Sequence, residues 1–101
     1  LSKVYSQKAF AQYELGNRSD AIGSWRKALS LPNMMPDSQL GLAIALYLQG
    51  KQEEAFQFGA AAIRTDQKLM DVGSLRDKNW GRSILKDAVP FLQTPRMRAI
   101  R

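Results

Sequence analysis

The sequence predicts an all-α protein in which antiparallel helical hairpins stack into a short solenoid. Two observations support this prediction. A shift of 34 residues superimposes six pairs of identical residues, most of them small. Between the turns, apolar residues recur every three or four positions, which is the spacing of one face of a helix. The six pairs are Ala9 and Ala43, Ala11 and Ala45, Tyr13 and Tyr47, Gly16 and Gly50, Ala21 and Ala55, and Ala28 and Ala62.

The first predicted hairpin is bounded by helix start and stop signals. Its first helix runs from Ser2 to about Leu15 and stops at Gly16, because glycine readily adopts the left-handed conformation that ends a helix. Ser19 or Asp20 begins the second helix, which ends before Pro32. The turn between the two helices is about three residues long, so the helices must be antiparallel neighbours.

The second predicted hairpin follows the same plan. Its first helix begins near Pro36 and runs to Gln49, because proline is well tolerated in the first turn of a helix and Gly50 supplies the stop. Its second helix spans about Gln52 to Thr65. Small residues at the repeated positions allow the helices to cross closely, since no side chain has to stand between them.

The repeat fails from Lys68 onward, yet a further amphipathic helix is predicted from about Asn79. Pro90 cannot donate a hydrogen bond to Lys86, so this helix either kinks there or ends a few residues earlier. We expect the segment to cap the array, since a solenoid must cover its last apolar face. The apolar residues of this helix are Trp80, Ile84, Leu85, Ala88, Phe91 and Leu92.

These residues resemble the tetratricopeptide repeat (TPR) family. Leu15-Gly16-Asn17, Ala21-Ile22, Trp25 and Ala28-Leu29 match one repeat, and Gly50, Ala55-Phe56 and Ala62-Ile63 match a second. The resemblance implies one domain over 1–101, with repeat 1 at about 3–34, repeat 2 at about 37–67 and a divergent capping unit at about 68–101. Gly59 departs from the pattern, because it replaces the aromatic residue matched by Trp25. The stretch from Arg76 to Asp87 also resembles tails of cyanobacterial TPR proteins.

The resemblance implies that the first helix of each hairpin lines a concave groove that binds a peptide or a partner helix. The domain would then be an adaptor or scaffold that assists the assembly of complexes. An alternative remains open, in which Phe10 and Tyr47 are packed under the terminal segment and have no ligand role. The expected groove residues are Lys3, Gln7, Phe10, Tyr13, Leu40, Ile44 and Tyr47.

The charge distribution favours a second way of binding. The net charge is +6, and the C-terminal third alone carries +5, from eight basic and three acidic residues in 68–101. Such a surface attracts acidic proteins, anionic membranes or nucleic acids. Nucleic acid is the least favoured of these, since no nucleic-acid-binding motif is present. The candidate basic residues are Arg76, Lys78, Arg82, Lys86, Arg96, Arg98 and Arg101.

The composition argues against catalysis. The chain contains no Cys and no His, so thiol nucleophiles, thiolate metal sites and the commonest general acid–base are absent. We expect no cofactor, no metal ion and no transmembrane segment, and a cytoplasmic location. The chain begins at Leu1, which suggests a fragment without its native N-terminus. Stacking of an exposed end helix would allow homo-oligomers.

Overall fold

A computed structural model describes residues 1–100 of the chain, and Arg101 lies outside this range. The prediction of an all-α, TPR-like helical-hairpin fold is confirmed, because the described residues form seven α-helices and one short 3₁₀ turn and contain no strand. The helices are α1 (Ser2–Glu14), α2 (Arg18–Leu29), α3 (Pro36–Leu48), α4 (Gln52–Thr65), α5 (Val72–Asp77), α6 (Arg82–Leu92) and α7 (Pro95–Arg98), and the 3₁₀ turn is Gln67–Met70.

Two glycines end the first helix of each hairpin in the same way. Gly16 and Gly50 have φ values of 87° and 85°, a conformation that costs glycine little. At Gly16, the N–H groups of Gly16 and Asn17 donate to the carbonyls of Tyr13 and Gln12. Two equivalent hydrogen bonds recur at Gly50. These bonds satisfy the carbonyls at the helix ends and reverse the chain, so α1 pairs with α2 and α3 pairs with α4.

The core is centred on α3, which is buried on nearly every side. Trp25 from α2 lies against the backbone of Gly41 on α3, so these two helices approach closely where the glycine has no side chain. Phe10 packs edge-on against the same indole ring, with 5.1 Å between the ring centroids. The fully buried residues of α3 are Ser38, Leu40, Leu42, Ala43, Ile44, Ala45 and Leu46.

The C-terminal segment returns across the two hairpins. The 3₁₀ turn and α7 contact α4, while α6 contacts α1 and α3. We call the face formed by α1 and α3 the groove face. Of the two alternatives expected at Pro90, a kink or an earlier end, the earlier end is not observed, because α6 continues through Pro90 to Leu92. The proline stands two residues from the helix end, so the hydrogen bond that it removes lies in the last turn.

Candidate functional site

Helix α6 occupies part of the groove face that the sequence assigned to a partner. Tyr13 from α1 is only 4 % exposed, and Leu40 and Ile44 from α3 are fully buried. Ile84, Ala88 and Phe91 lie one helical turn apart on α6 and are also buried. Tyr13, Leu40 and Ile44 therefore belong to the core, and a partner cannot reach them while the C-terminal segment is docked.

Glu14 attaches the N-terminal end of α6 to the end of α1. Its two carboxylate oxygens accept hydrogen bonds from the N–H groups of Ser83, at 2.8 Å, and Ile84, at 3.0 Å. The first N–H groups of a helix have no partner within the helix, so a carboxylate at this position satisfies them and complements the helix dipole. Gly81 permits the contact, because a Cβ atom there would collide with the Glu14 side chain. No pattern in the sequence around Glu14 predicts this interaction.

Tyr13 and Asp87 form a second polar link between α1 and α6. The Tyr13 hydroxyl donates a 2.5 Å hydrogen bond to Asp87 Oδ2, and Arg18 lies 3.9 Å from the same carboxylate oxygen. Burial raises the pKa of the Tyr13 hydroxyl well above its usual value of 10.0, and both the hydrogen bond to Asp87 and the negative charge of Asp87 raise it further. Tyr13 is thus held neutral and serves as a fixed donor.

This pKa shift predicts a loss of stability at alkaline pH. The pKa of Tyr13 is higher in the folded than in the unfolded state, so its contribution is complete below pH 10 and is lost as the pH rises through the folded value. We expect the free energy of unfolding to fall by up to about 1.4 kcal/mol per pH unit from this group. Urea unfolding at pH 8, 10 and 11 measures the slope. Tyr13→Phe should be less stable at pH 8 and show a shallower slope, and an unchanged slope would contradict the assignment to Tyr13.

The C-terminal end of α6 is held by an aromatic contact. Phe91 packs against Tyr47, with 5.3 Å between the ring centroids, and its ring lies directly over Gly59 of α4. Phe10 contacts Trp80 in the same way, at 4.8 Å. Phe10 and Tyr47 therefore both contact the terminal segment, and both stay half-buried. Phe91 fills the space left at Gly59, where the first repeat has Trp25.

One end of the groove face remains open. A cavity of about 280 Å³ lies where the N-terminal halves of α1 and α3 meet the turn before α6. The predicted residues Lys3, Gln7 and Phe10 come together here, and Lys78 pairs with Asp37 at 3.5 Å on its rim. We call this space the open-end cavity. It is lined by Lys3, Ser6, Gln7, Phe10, Met35, Asp37, Lys78, Asn79 and Trp80.

Tyr47 lines a different cavity, which is separate from the open-end cavity. This space of about 270 Å³ lies between the α3–α4 hairpin and α7 and is mostly apolar. Arg96 covers Phe56 there, with its guanidinium carbon 3.9 Å from the ring centroid, and makes two hydrogen bonds to Glu53. The hydrogen bond to Arg96, and then its charge, lowers the pKa of the Glu53 carboxyl.

The predicted basic residues are distributed over separate surfaces. Arg96 pairs with Glu53, Lys78 pairs with Asp37 at the open-end cavity, and Lys86 lines a shallow cavity beside Tyr13 and Asp87. The remaining described residues of this set, Arg76, Arg82 and Arg98, are exposed, and Arg101 lies outside the described residues.

Across residues 1–100, no helix combines the length and the apolar composition needed to cross a membrane. In the same range, no three acidic side chains come together in a group that could hold a metal ion.

Comparison with known proteins supports the TPR resemblance. Over 64 residues, or 63 % of this chain, the sequence is 33 % identical to a TPR repeat-containing protein of Methanocaldococcus jannaschii. The chain spans 11 % of the length of that relative. No family model matches the sequence, and no solved structure matches it. The archaeal source of this relative adds nothing to the cyanobacterial resemblance, which stays a prediction. The similarity and the helical-hairpin fold together suggest a TPR-type domain.

Proposed function

We propose that the chain is a TPR-type interaction module that binds a segment of a partner protein in the open-end cavity. The main support for the proposal is that three of the seven predicted groove residues, Lys3, Gln7 and Phe10, line a single accessible cavity. Helix α6 covers another part of the groove face. The similarity to a TPR repeat-containing protein supports a role in protein–protein interaction in general.

The chemistry of the cavity suits a short peptide segment. Phe10 and Trp80 provide an apolar aromatic wall that can bury an aliphatic or aromatic side chain. Around it, Gln7 and Asn79 offer amide donors and acceptors for a peptide backbone. Lys3 adds a positive charge at the rim. A site with one apolar wall and a few polar groups fixes the orientation of its ligand, but its small size implies modest affinity.

The module would act by holding its partner rather than by transforming it. The sequence contains no His and no Cys. Asp37, which lines the open-end cavity, pairs with Lys78, and Asp87 accepts a hydrogen bond from the Tyr13 hydroxyl. We therefore assign an adaptor role, in which the domain contributes to the assembly of a larger complex.

A bulky substitution tests the open-end cavity without damaging the core. Gln7 is exposed and lines the cavity, so Gln7→Trp should fill it and reduce partner capture by about ten-fold or more, since a blocked site cannot bury the partner's side chain. The measurement is affinity capture from a lysate of the source organism, quantified by mass spectrometry, followed by titration of the captured protein.

Lys8→Trp is the matched control. Lys8 is the next residue on α1 and is also exposed, but it does not line the cavity. The same aromatic surface is added in both variants, so unspecific adhesion cancels. If both variants lose the partner to the same extent, or if neither variant loses it, the partner binds elsewhere on the chain.

A further inference from the structure

The apolar cavity beside Tyr47 is a second candidate binding site, and we call it the Tyr47 cavity. Aromatic rings form much of its wall, since Tyr47, Phe56 and Phe91 all line it. Phe91 is buried, whereas Tyr47 and Phe56 are half-buried and remain accessible from the cavity side. The rim is formed by the exposed residues Gln52, Pro95 and Arg96.

The size of the Tyr47 cavity favours a large aromatic group. An apolar cavity of about 150 Å³ is enough to hold a benzene molecule. The Tyr47 cavity measures about 270 Å³, so it has room for a two-ring system such as an indole. Its apolar walls offer few hydrogen bonds to water, and an apolar ring therefore displaces that water at little cost.

A comparison of the two hairpins also favours an aromatic ring. In the first hairpin, the indole of Trp25 packs against Tyr13, with 6.0 Å between the centroids and 50° between the ring planes. The 34-residue shift matches Tyr13 with Tyr47 and Trp25 with Gly59. Phe91 lies over Gly59 and packs against Tyr47 in a similar way, at 5.3 Å and 52°. A phenyl ring is smaller than an indole, so the second hairpin has less aromatic material at this place, and the Tyr47 cavity borders it.

The two matched tyrosines differ in their hydrogen bonds. The Tyr13 hydroxyl donates to Asp87, whereas the Tyr47 hydroxyl makes no hydrogen bond with any residue in 1–100. A phenolic hydroxyl can both donate and accept, and an indole N–H can only donate. Tyr47 can therefore accept a hydrogen bond from an indole ring in the cavity.

The charges at the rim of the Tyr47 cavity neutralise each other. Arg96 makes hydrogen bonds of 2.8 and 3.2 Å to the two carboxylate oxygens of Glu53. Within residues 1–100, no other charged side chain lines the cavity. A small molecule that is recognised through a carboxylate or a phosphate would thus find no free counter-charge. The amide of Gln52 can instead pair with the backbone of a polypeptide, which favours an uncharged side chain as the occupant.

We infer that the Tyr47 cavity binds the side chain of a tryptophan in a partner protein. The indole ring packs among Tyr47, Phe56 and Phe91, and its N–H donates to the Tyr47 hydroxyl. The peptide groups beside this tryptophan lie at the rim, next to Gln52. The Tyr47 cavity shares no residue with the open-end cavity, so the inference does not depend on the function proposed for that cavity.

The inference is tested by titrating the full chain with N-acetyl-L-tryptophanamide, an uncharged tryptophan with a peptide group on each side. We expect a Kd on the order of 0.1–1 mM, as befits a ligand of this size. N-acetyl-L-leucinamide should bind at least about three-fold more weakly, because it cannot make aromatic contacts. Amide chemical shifts should change around Tyr47, Phe56 and Met97. Raising the salt concentration from about 50 to 500 mM should change the Kd less than about two-fold, because no charge pair forms on binding.

A matched pair of variants locates the site. Gln52→Trp should fill the cavity from its rim and weaken binding about ten-fold or more. Gln57→Trp makes the same change at an exposed position of α4 that does not line the cavity, and it should alter binding less than about two-fold. Tyr47→Phe should weaken binding about three-fold, since it removes one hydrogen bond. Circular dichroism checks that each variant keeps the helical content of the wild type.

Several results would overturn the inference. These are the absence of saturable binding, equal effects of Gln52→Trp and Gln57→Trp, and shift changes confined to Lys3 and Gln7. Equal affinities for the leucine and tryptophan amides would show that the cavity does not select an aromatic ring. Free indole that binds at least about ten-fold more tightly than the tryptophan amide would assign the cavity to a small aromatic molecule instead of a protein side chain.

Discussion

Replacing Phe91 with alanine is expected to release α6 from the groove face and expose the apolar floor beneath it. Phe91 is buried and holds the C-terminal end of the helix between Tyr47 and Gly59. Truncation of a buried phenylalanine costs about 3–5 kcal/mol, which is a large part of the stability of a small domain. The remaining contacts that hold α6 are the Glu14 cap, the Tyr13–Asp87 hydrogen bond and the burial of Ile84, Ala88 and Leu92.

Hydrogen exchange measured by mass spectrometry resolves this release. In Phe91→Ala we expect the amides of α6 and α7 to lose protection first, while α2 and α3 keep theirs, since local opening precedes global unfolding where contacts are fewest. Val89→Ala is the matched control, because it truncates an exposed side chain of the same helix and should cost less than about 0.5 kcal/mol. Equal protection of α6 in the wild type and Phe91→Ala would contradict the anchoring role of Phe91.

The release of α6 also distinguishes two hypotheses, in which a partner binds either on the groove face beneath α6 or in the open-end cavity. With α6 undocked, Tyr13 and Tyr47 become accessible, as the sequence-based groove prediction requires. If Phe91→Ala binds a partner that the wild type does not bind, α6 competes with that partner for the groove. If the open-end cavity is the site, partner binding by Phe91→Ala should stay within about two-fold of the wild type as long as Trp80 remains packed on Phe10.

The four hairpin helices could be predicted from the sequence because their signals are local. Gly16 and Gly50 end α1 and α3 through backbone hydrogen bonds made within six residues, and the predicted helix ends differ from the observed ones by one or two residues. The close contact of Trp25 on α2 with Gly41 on α3 has no such local signal, because the 34-residue shift pairs Trp25 with Gly59 and Gly41 with Gln7.

The position of α6 could not be predicted from the same signals, because it depends on contacts between residues far apart in the sequence. Tyr13 and Asp87 are 74 residues apart, and Glu14 and Ile84 are 70 residues apart. Glu14 belongs to no motif, and the resemblance of the stretch from Arg76 to Asp87 does not indicate a partner for Asp87. One clue was present at Gly59, where the repeat pattern lacks its aromatic residue, and the structure places Phe91 at that point. A missing aromatic in a repeat thus indicated where a later segment packs.

Replacing Gly41 with alanine is expected to destabilise the whole domain, even though alanine favours helices. A Cβ atom at this position would lie 2.5 Å from Cζ2 and 2.6 Å from Cε2 of Trp25. The indole ring cannot retreat, since it is fully buried against Phe10 and Tyr13. Overpacking of this kind costs about 1–3 kcal/mol, which corresponds to a fall in Tm of roughly 4–8 °C per kcal/mol for a domain of this size.

Gly23→Ala is expected to have the opposite effect on the stability of the domain. Gly23 lies in the middle of α2, and nothing lies within 4 Å of the Cβ atom that alanine would add. Helix propensity alone should then stabilise the domain by up to about 1 kcal/mol. Thermal unfolding of both variants followed by circular dichroism makes the comparison, and a rise in Tm for Gly41→Ala would contradict the close contact. Trp25→Phe should reduce the cost of Gly41→Ala, because the smaller ring leaves room for the new methyl group, and a double-mutant cycle measures this coupling.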